Sequence, residues 1–270
     1  MCELLAISSR RPTQLDFSLT TLAAHSAGAS TTRDGWGVAL YDGHDAALYR
    51  EPIAASDSPL VRFLQSQGLN TTLAISHIRH ATRGEVALSN TQPFARELGG
   101  RVHVFAHNGN LVGIERSANL AFDRYRPIGT TDSEHAFCAL LERIHVLWGE
   151  PDSPPSLADR LSAVSEFSAD LRKLGPANFL YADGEVLFAH GHRRIQAGTG
   201  LVAAPALCLW SCRCTDPDES IHARGVTIAP GFQEMVMVAS VPLTGETWRP
   251  LAEGELVVVS KGKLIDTTAA

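Results

Sequence analysis

The chain has 270 residues, 44% of them hydrophobic and 19% charged, with a formal net charge of −6. That length holds one large domain or two small ones, and the acidic balance argues against a nucleic-acid or acidic-membrane surface. No apolar run is long enough to span a bilayer, and Met1-Cys2-Glu3-Leu4-Leu5-Ala6 lacks the basic start and long apolar core of a secretory signal. A cytoplasmic location is therefore expected. Its five cysteines (Cys2, Cys138, Cys208, Cys212, Cys214), odd in number and irregular in spacing, are expected to be thiols.

Residues 2–8 are a short apolar run and predict a strand that fixes the N-terminus inside the fold. Residues 17–25 carry helical spacing, with Leu19, Leu22 and Ala23 on one face. Asp34-Gly35-Trp36-Gly37 leads into an apolar run at 38–41. Asp42-Gly43 marks a turn and 47–50 returns, which predicts a hairpin. The glycines beside Trp36 permit close backbone approach; the tryptophan suits core packing and a site wall equally. A short helix is predicted over 59–67 and a strand over 72–77, continued by Ile78-Arg79-His80-Ala81-Thr82-Arg83-Gly84. Residues 102–107 alternate as a strand that stops at Asn108-Gly109-Asn110. Gly129-Thr130-Thr131-Asp132-Ser133-Glu134 reads as a helix start, capped by Asp132 or Ser133, ahead of the apolar run 136–141.

The proline-rich stretch 150–155 is linker-like and reads as a surface loop. A helix is predicted over 156–174, where Leu157, Leu161, Val164, Phe167 and Leu171 recur at spacings of three or four. Asp183-Gly184, between apolar runs at 178–181 and 186–190, is the strongest hairpin signal in the chain. Further strands are predicted over 207–212, 235–240 and 255–260, the last turning at Lys261-Gly262. Strand runs separated by two or three helices predict two antiparallel sheets with helices outside, closed as a single domain over residues 1–270.

Chemistry enters at the N-terminus. A methionine followed by a small residue is normally trimmed, which leaves Cys2 with a thiol and a free α-amine on one carbon. The amine has a reference pKa of about 8, so Cys2 supplies both nucleophile and general base. Taken alone, cysteine at position 2 is also compatible with chance. Three further segments can meet it. Arg79 offers a rigid fork for a carboxylate and Thr82 a hydroxyl donor, although an arginine at a strand end commonly makes only a surface ion pair. The Asn108 amide and the Gly109 N–H can bind the oxygen of a tetrahedral intermediate, although Asn–Gly is commonly just a turn. Asp132 can pair with an ammonium group, although it also suits a helix cap. Arg79 and Asp132 together read an α-amino acid head group, with the thiol over that amino acid's side-chain carbonyl.

Cys2, His77-Ile78-Arg79-His80-Ala81-Thr82, Asn90-Thr91-Gln92-Pro93-Phe94, His107-Asn108-Gly109 and Thr131-Asp132-Ser133-Glu134 resemble, in order and separation, the class II glutamine amidotransferase family. Met1-Cys2-Glu3-Leu4-Leu5, Asp34-Gly35-Trp36-Gly37, residues 83–88 and Pro242-Leu243-Thr244-Gly245 extend the likeness to its stand-alone YafJ-type group over nearly the whole chain. The resemblance implies an α+β fold, a four-layer αββα sandwich of two antiparallel sheets, the N-terminal-nucleophile (Ntn) hydrolase fold. It implies that Cys2 attacks the side-chain amide of glutamine while its own α-amine shuttles the proton. Asn108 and Gly109 would form the oxyanion hole, Arg79 and Thr82 would hold the α-carboxylate, and Asp132 would hold the α-ammonium. Ammonia would leave first, and water would then hydrolyse the γ-glutamyl thioester to glutamate.

No metal or cofactor is implied, and Cys212 and Cys214 are too close and too isolated for a zinc site. The expected substrate is a small γ-glutamyl compound, glutamine. A synthase partner protein is expected to consume the ammonia, since the chain carries no Walker-type glycine loop and no sugar-isomerase segment. His80 stands where several family members have tryptophan and Arg83 where some have histidine, and the resemblance implies that both would touch the pocket wall. A lid over residues 20–33 would close the pocket. Rival readings are a free-standing hydrolase of γ-glutamyl thiol compounds and a catalytically silent amino-acid-binding regulatory module. A choloylglycine-type amidase is a third, which would not need the Arg79–Asp132 pair.

Overall fold

The structure is a computed structural model that describes residues 2–17, 34–67, 69–81, 84–148, 153–196, 198–214, 221–223, 226–228 and 233–268. The first half of the chain runs β1 (Glu3–Phe17), β2 (Trp36–Asp42), β3 (Asp45–Glu51), α1 (Pro59–Gln67) and β4 (Leu69–Ile78), then β5 (Phe94–Leu98) and β6 (Arg101–Gly109). Two helices follow, α2 (Asp132–Ile144) and α3 (Leu157–Arg172), and then the strands β7 (Ala177–Ala182) and β8 (Leu187–His190). The remainder is β9 (Arg194–Ile195), β10 (Val202–Ala203), β11 (Cys208–Cys214), β12 (Ile221–Ala223), β13 (Val226–Ile228), β14 (Gln233–Ala239), β15 (Arg249–Pro250), β16 (Leu256–Ser260) and β17 (Lys263–Thr268).

The strands assemble into two large sheets. One has the order β15-β11-β14-β1-β4-β2-β3, with β13 also on β1; the other has the order β17-β16-β8-β7-β6-β5. The pairings that build both are antiparallel. Strand pleating explains why the apolar runs are continuous rather than alternating. Side chains on a strand point to opposite faces in turn, and over residues 3–9 of β1 both faces are buried. Leu5 and Ile7 pack outward with Val61 and Leu64 of α1, whereas Leu4 and Ala6 pack inward between the sheets. On β6 and β7, Phe105, Phe179 and Tyr181 pack outward on Phe137, Leu140 and Phe167 of α2 and α3. Val104, Ala106, Leu180 and Ala182 point inward to meet Leu4, Ala6 and Ala39. Each such valine, leucine or phenylalanine contributes roughly 1.5–3 kcal/mol on burial, and an alanine less. The layers therefore run helix, sheet, sheet, helices, the αββα sandwich expected.

The local signals were read with mixed success. Asp183 accepts from the N–H groups of Glu185 and Val186 at 3.1 and 2.9 Å and so folds the β7–β8 turn. The β2–β3 hairpin turns at Gly43, whose φ is 61°. Gly37 is needed for close approach, since a Cβ there would lie 2.3 Å from the Gln92 carbonyl oxygen. Trp36 is fully buried in the α1-side core, which decides for packing over a site role. Three expectations are corrected. β6 does not stop at Asn108 but runs through Gly109, because Asn108 and Gly109 pair with Asn178 and Ala177 of β7. Thr131, not Asp132 or Ser133, caps α2, its hydroxyl oxygen accepting from the Glu134 N–H at 3.2 Å. Phe17 ends β1 instead of starting a helix; the rest of the helix expected over 17–25, and the lid expected over 20–33, lie outside the described residues. No described helix is long and apolar enough to cross a membrane.

Candidate active site

Cys2 directly precedes β1, and counting by twos from Leu4 and Ala6 puts it on the inward face at the end of the sheet. The same count from Val104 and Ala106 puts Asn108 inward on the opposite sheet, and from Leu180 and Ala182 it puts Asn178 beside Asn108. The three meet at one end of the sandwich, on the wall of a cavity of about 530 Å³ also lined by His80, Gly109 and Arg194.

Hydrogen bonds hold this end together. The His80 N–H donates to the Cys2 sulfur at 3.2 Å, and the thiol faces the His80 carbonyl at 3.4 Å. Burial pushes the Cys2 thiol pKa up, opposed in part by the His80 N–H. The Asn108 side-chain amide donates to the Cys2 carbonyl at 2.8 Å. Behind it, the Asn178 amide donates to the carbonyls of Asn108 and Arg193 at 2.8 and 2.7 Å and accepts from the His192 N–H at 2.7 Å. Gln92 acts as a short substitute strand where β5 has ended. Its amide accepts from the His107 N–H at 2.6 Å and donates to the His107 carbonyl at 3.1 Å. The backbone of β6 is thus clamped on both edges beside Asn108. Gly109 is pressed against the chain before β7, where an added Cβ would sit 1.8 Å from the Pro176 carbonyl oxygen.

The structure brings Cys2, Asn108 and Gly109 to one cavity wall, and Arg79 and Asp132 are not among the residues that line it. Arg79 is buried, and its guanidinium donates to the carbonyls of Asp34 and Gly84 at 3.5 and 3.2 Å. It adjoins His80, which does line the cavity. Asp132, freed from capping by Thr131, accepts from the Leu111 N–H at 2.8 Å and the Ser133 N–H at 3.0 Å. Leu111 follows the cavity-lining Asn110. Thr82 lies outside the described residues. His77 also sits at this end, but burial and the neighbouring Arg79 push its pKa down to about 3. It is neutral at physiological pH and too weak a base to serve catalysis there.

Sequence reasoning missed Asn178, Arg193 and Arg194. Asn178 opens an apolar run and carries no local mark of its role. Arg194 reaches the site by pairing with Glu3 at 3.2 Å, a contact between residues 191 positions apart. Gln92 belongs to the Asn90-Thr91-Gln92-Pro93-Phe94 motif, but its work as a strut for His107 emerges only from the fold.

Residues 1–270 match the family model described as "Glutamine amidotransferases class-II", and the chain belongs to that family. It is 34% identical over 256 residues to the Escherichia coli (strain K12) protein named "Putative glutamine amidotransferase YafJ", covering 94% of this chain and 96% of that one. Its structure is similar to a crystal structure of a "predicted glutamine amidotransferase" from Pseudomonas aeruginosa PA01, with a TM-score of 0.73 and 32% identity over 98% of this chain and 100% of that one. Glutamine phosphoribosylpyrophosphate amidotransferase from B. subtilis shares the fold at 17% identity and a TM-score of 0.60, over 99% of this chain and 49% of that one. The sandwich is accordingly the Ntn-hydrolase fold.

Proposed function

We propose that the chain hydrolyses the γ-amide of glutamine through a thioester on Cys2, releasing ammonia and then glutamate. The observation that carries this reading is the convergence of Cys2, Asn108 and Gly109 on one cavity wall. Burial keeps the Cys2 sulfur protonated at rest, so attack needs a base within reach. Removal of Met1 supplies one, an α-amine on the same carbon with a reference pKa of about 7.7–8.0. The amine takes the thiol proton, sulfur attacks the amide carbon, and the carbonyl oxygen becomes an anion. The Asn108 amide has two N–H donors. One is spent on the Cys2 carbonyl, and the other serves the oxyanion beside the Gly109 N–H. The α-ammonium then protonates the departing nitrogen as the C–N bond breaks, and ammonia leaves. Water, giving its proton to the same amine, cleaves the thioester.

Arg79 and Thr82 hold the α-carboxylate and Asp132 the α-ammonium, with substrate contacts replacing those Arg79 makes to the Asp34 and Gly84 carbonyls. Residues 1–270 work as one amidohydrolase unit in the cytoplasm, and a synthase partner consumes the ammonia. Cavity size favours a second reading, free-standing hydrolysis of a larger γ-glutamyl compound. The 530 Å³ space, with Val112, Ile195 and Val202 on its wall, is in the range that encloses ligands bulkier than one amino acid.

The test is a variant that keeps one uncleavable residue in front of Cys2. Its amide nitrogen is no base, so glutamine hydrolysis is expected to fall at least about 100-fold while thermal unfolding stays unchanged. Full activity in the blocked protein contradicts the mechanism.

A further inference from the structure

The sheets also meet at the end opposite Cys2. β1 leads from Cys2 to Ser8 and Arg10, β4 leads back from Arg79 to Thr72, and β6 leads back from Asn108 to Arg101. At about 3.3 Å per residue this end lies roughly 20 Å from the thiol. A cavity of about 330 Å³ opens there among hairpin turns, with Arg10, His44, Arg101, Glu185 and Lys261 on its walls. The turns come from both sheets: His44 from β2–β3, Arg101 from the start of β6, Glu185 from β7–β8 and Lys261 from β16–β17.

Arg101 is only 9% exposed. Its guanidinium donates to Nδ1 of His44 at 2.9 Å and lies 5.7 Å from the centroid of the Trp148 ring. Arginine carries donors alone, so Nδ1 of His44 accepts and most of the guanidinium donors remain for another acceptor. Among the described residues no carboxylate lies within ion-pair distance of Arg101 or Lys261, while Arg10 shares Glu234 with Arg213 and Lys263. Glu185, the one acidic side chain on the wall, accepts from Arg160 at 3.0 Å. The Ser8 hydroxyl oxygen accepts from the Gly262 N–H at 3.1 Å, which leaves its own hydrogen to donate. Lys261 is the one described non-glycine residue at positive φ, 48°, where asparagine or glycine fits a hairpin turn at lower cost. A buried cation is normally held by an anion, and here the buried Arg101 and the exposed Lys261 border one cavity with no carboxylate among the described residues within ion-pair distance of either.

We propose that this cavity binds a phosphate-bearing small molecule, its phosphate held between Arg101 and Lys261. A phosphate carries about −1.5 to −2 at pH 7, which matches two cations, whereas a lone carboxylate leaves one uncompensated. The arginine fork suits two phosphate oxygens at once, and the cavity has room for an organic group beyond the phosphate.

The test is isothermal titration of the full-length protein with inorganic phosphate at fixed ionic strength. Saturable one-site binding is expected. It should weaken about tenfold or more in Arg101→Gln and in Lys261→Ala, the loss of a charge-assisted hydrogen bond, and stay unchanged in Lys173→Ala, an exposed residue just past the C-terminal end of α3. Arg101 packs on Trp148, so the exposed turn variant Lys261→Ala keeps the test independent of folding. Absence of saturable binding overturns the proposal. So does binding that both cavity variants leave intact, or that Lys173→Ala weakens equally.

Discussion

Alanine at position 2 is expected to abolish glutamine hydrolysis and leave the protein folded. Removing the nucleophile of a covalent hydrolase costs on the order of 10⁶ in turnover where it has been measured, so the variant should sit at assay background. The structural cost is small for a specific reason. The Asn108 amide bonds the Cys2 carbonyl, a backbone atom that alanine keeps. Only the sulfur's two contacts with the His80 backbone are lost, each worth about 0.5–1.5 kcal/mol. The urea midpoint should therefore shift little and the m-value not at all. Retained hydrolysis would remove Cys2 from the mechanism.

Gly109→Ala is expected to fail differently, in stability and activity together. Its Cβ would lie 1.8 Å from the Pro176 carbonyl oxygen and 2.8 Å from Nε2 of His107. The nearest obstacle is backbone, so no rotamer change relieves it, and the β6–β7 pairing at Gly109↔Ala177 must open. Overpacking costs about 1–3 kcal/mol where side chains give way; here the upper end or more is expected, read as a lowered urea midpoint. The same movement displaces the Gly109 N–H from the cavity wall, so residual folded protein should also turn over more slowly. Wild-type stability in this variant would refute the close approach.

The contrast between these residues marks what a sequence can reveal. Cys2 carries thiol and amine on one residue, but alone it is compatible with chance and stands out only beside the segments at Arg79, Asn108-Gly109 and Asp132. Two antiparallel sheets with helices outside could be read from strand runs separated by two or three helices, whereas the αββα order was what the family resemblance implied. Asn108-Gly109 misled as a turn signal. Its local preference is overridden by pairing with β7, a partner some seventy positions on, and pairing at that range leaves no local trace. Asn178 and Arg194 were invisible for the same reason, their roles resting on contacts with Asn108 and Glu3. Asp132 shows the reverse. The capping duty its residue type suggests falls to Thr131, and its buried carboxylate faces the loop at Leu111. The two-residue strands β9 and β10, which bring Ile195 and Val202 to the cavity, are too short to carry any periodicity.

The central claim is that Cys2, as a free N-terminal residue, is the nucleophile of a pocket that accepts a γ-glutamyl group. Intact-mass spectrometry of the purified protein after incubation with 6-diazo-5-oxonorleucine, followed by peptide mapping, tests it most directly. Loss of Met1 and a single adduct on Cys2 are expected. A retained Met1, or a protein whose Cys2 stays unlabelled, contradicts it.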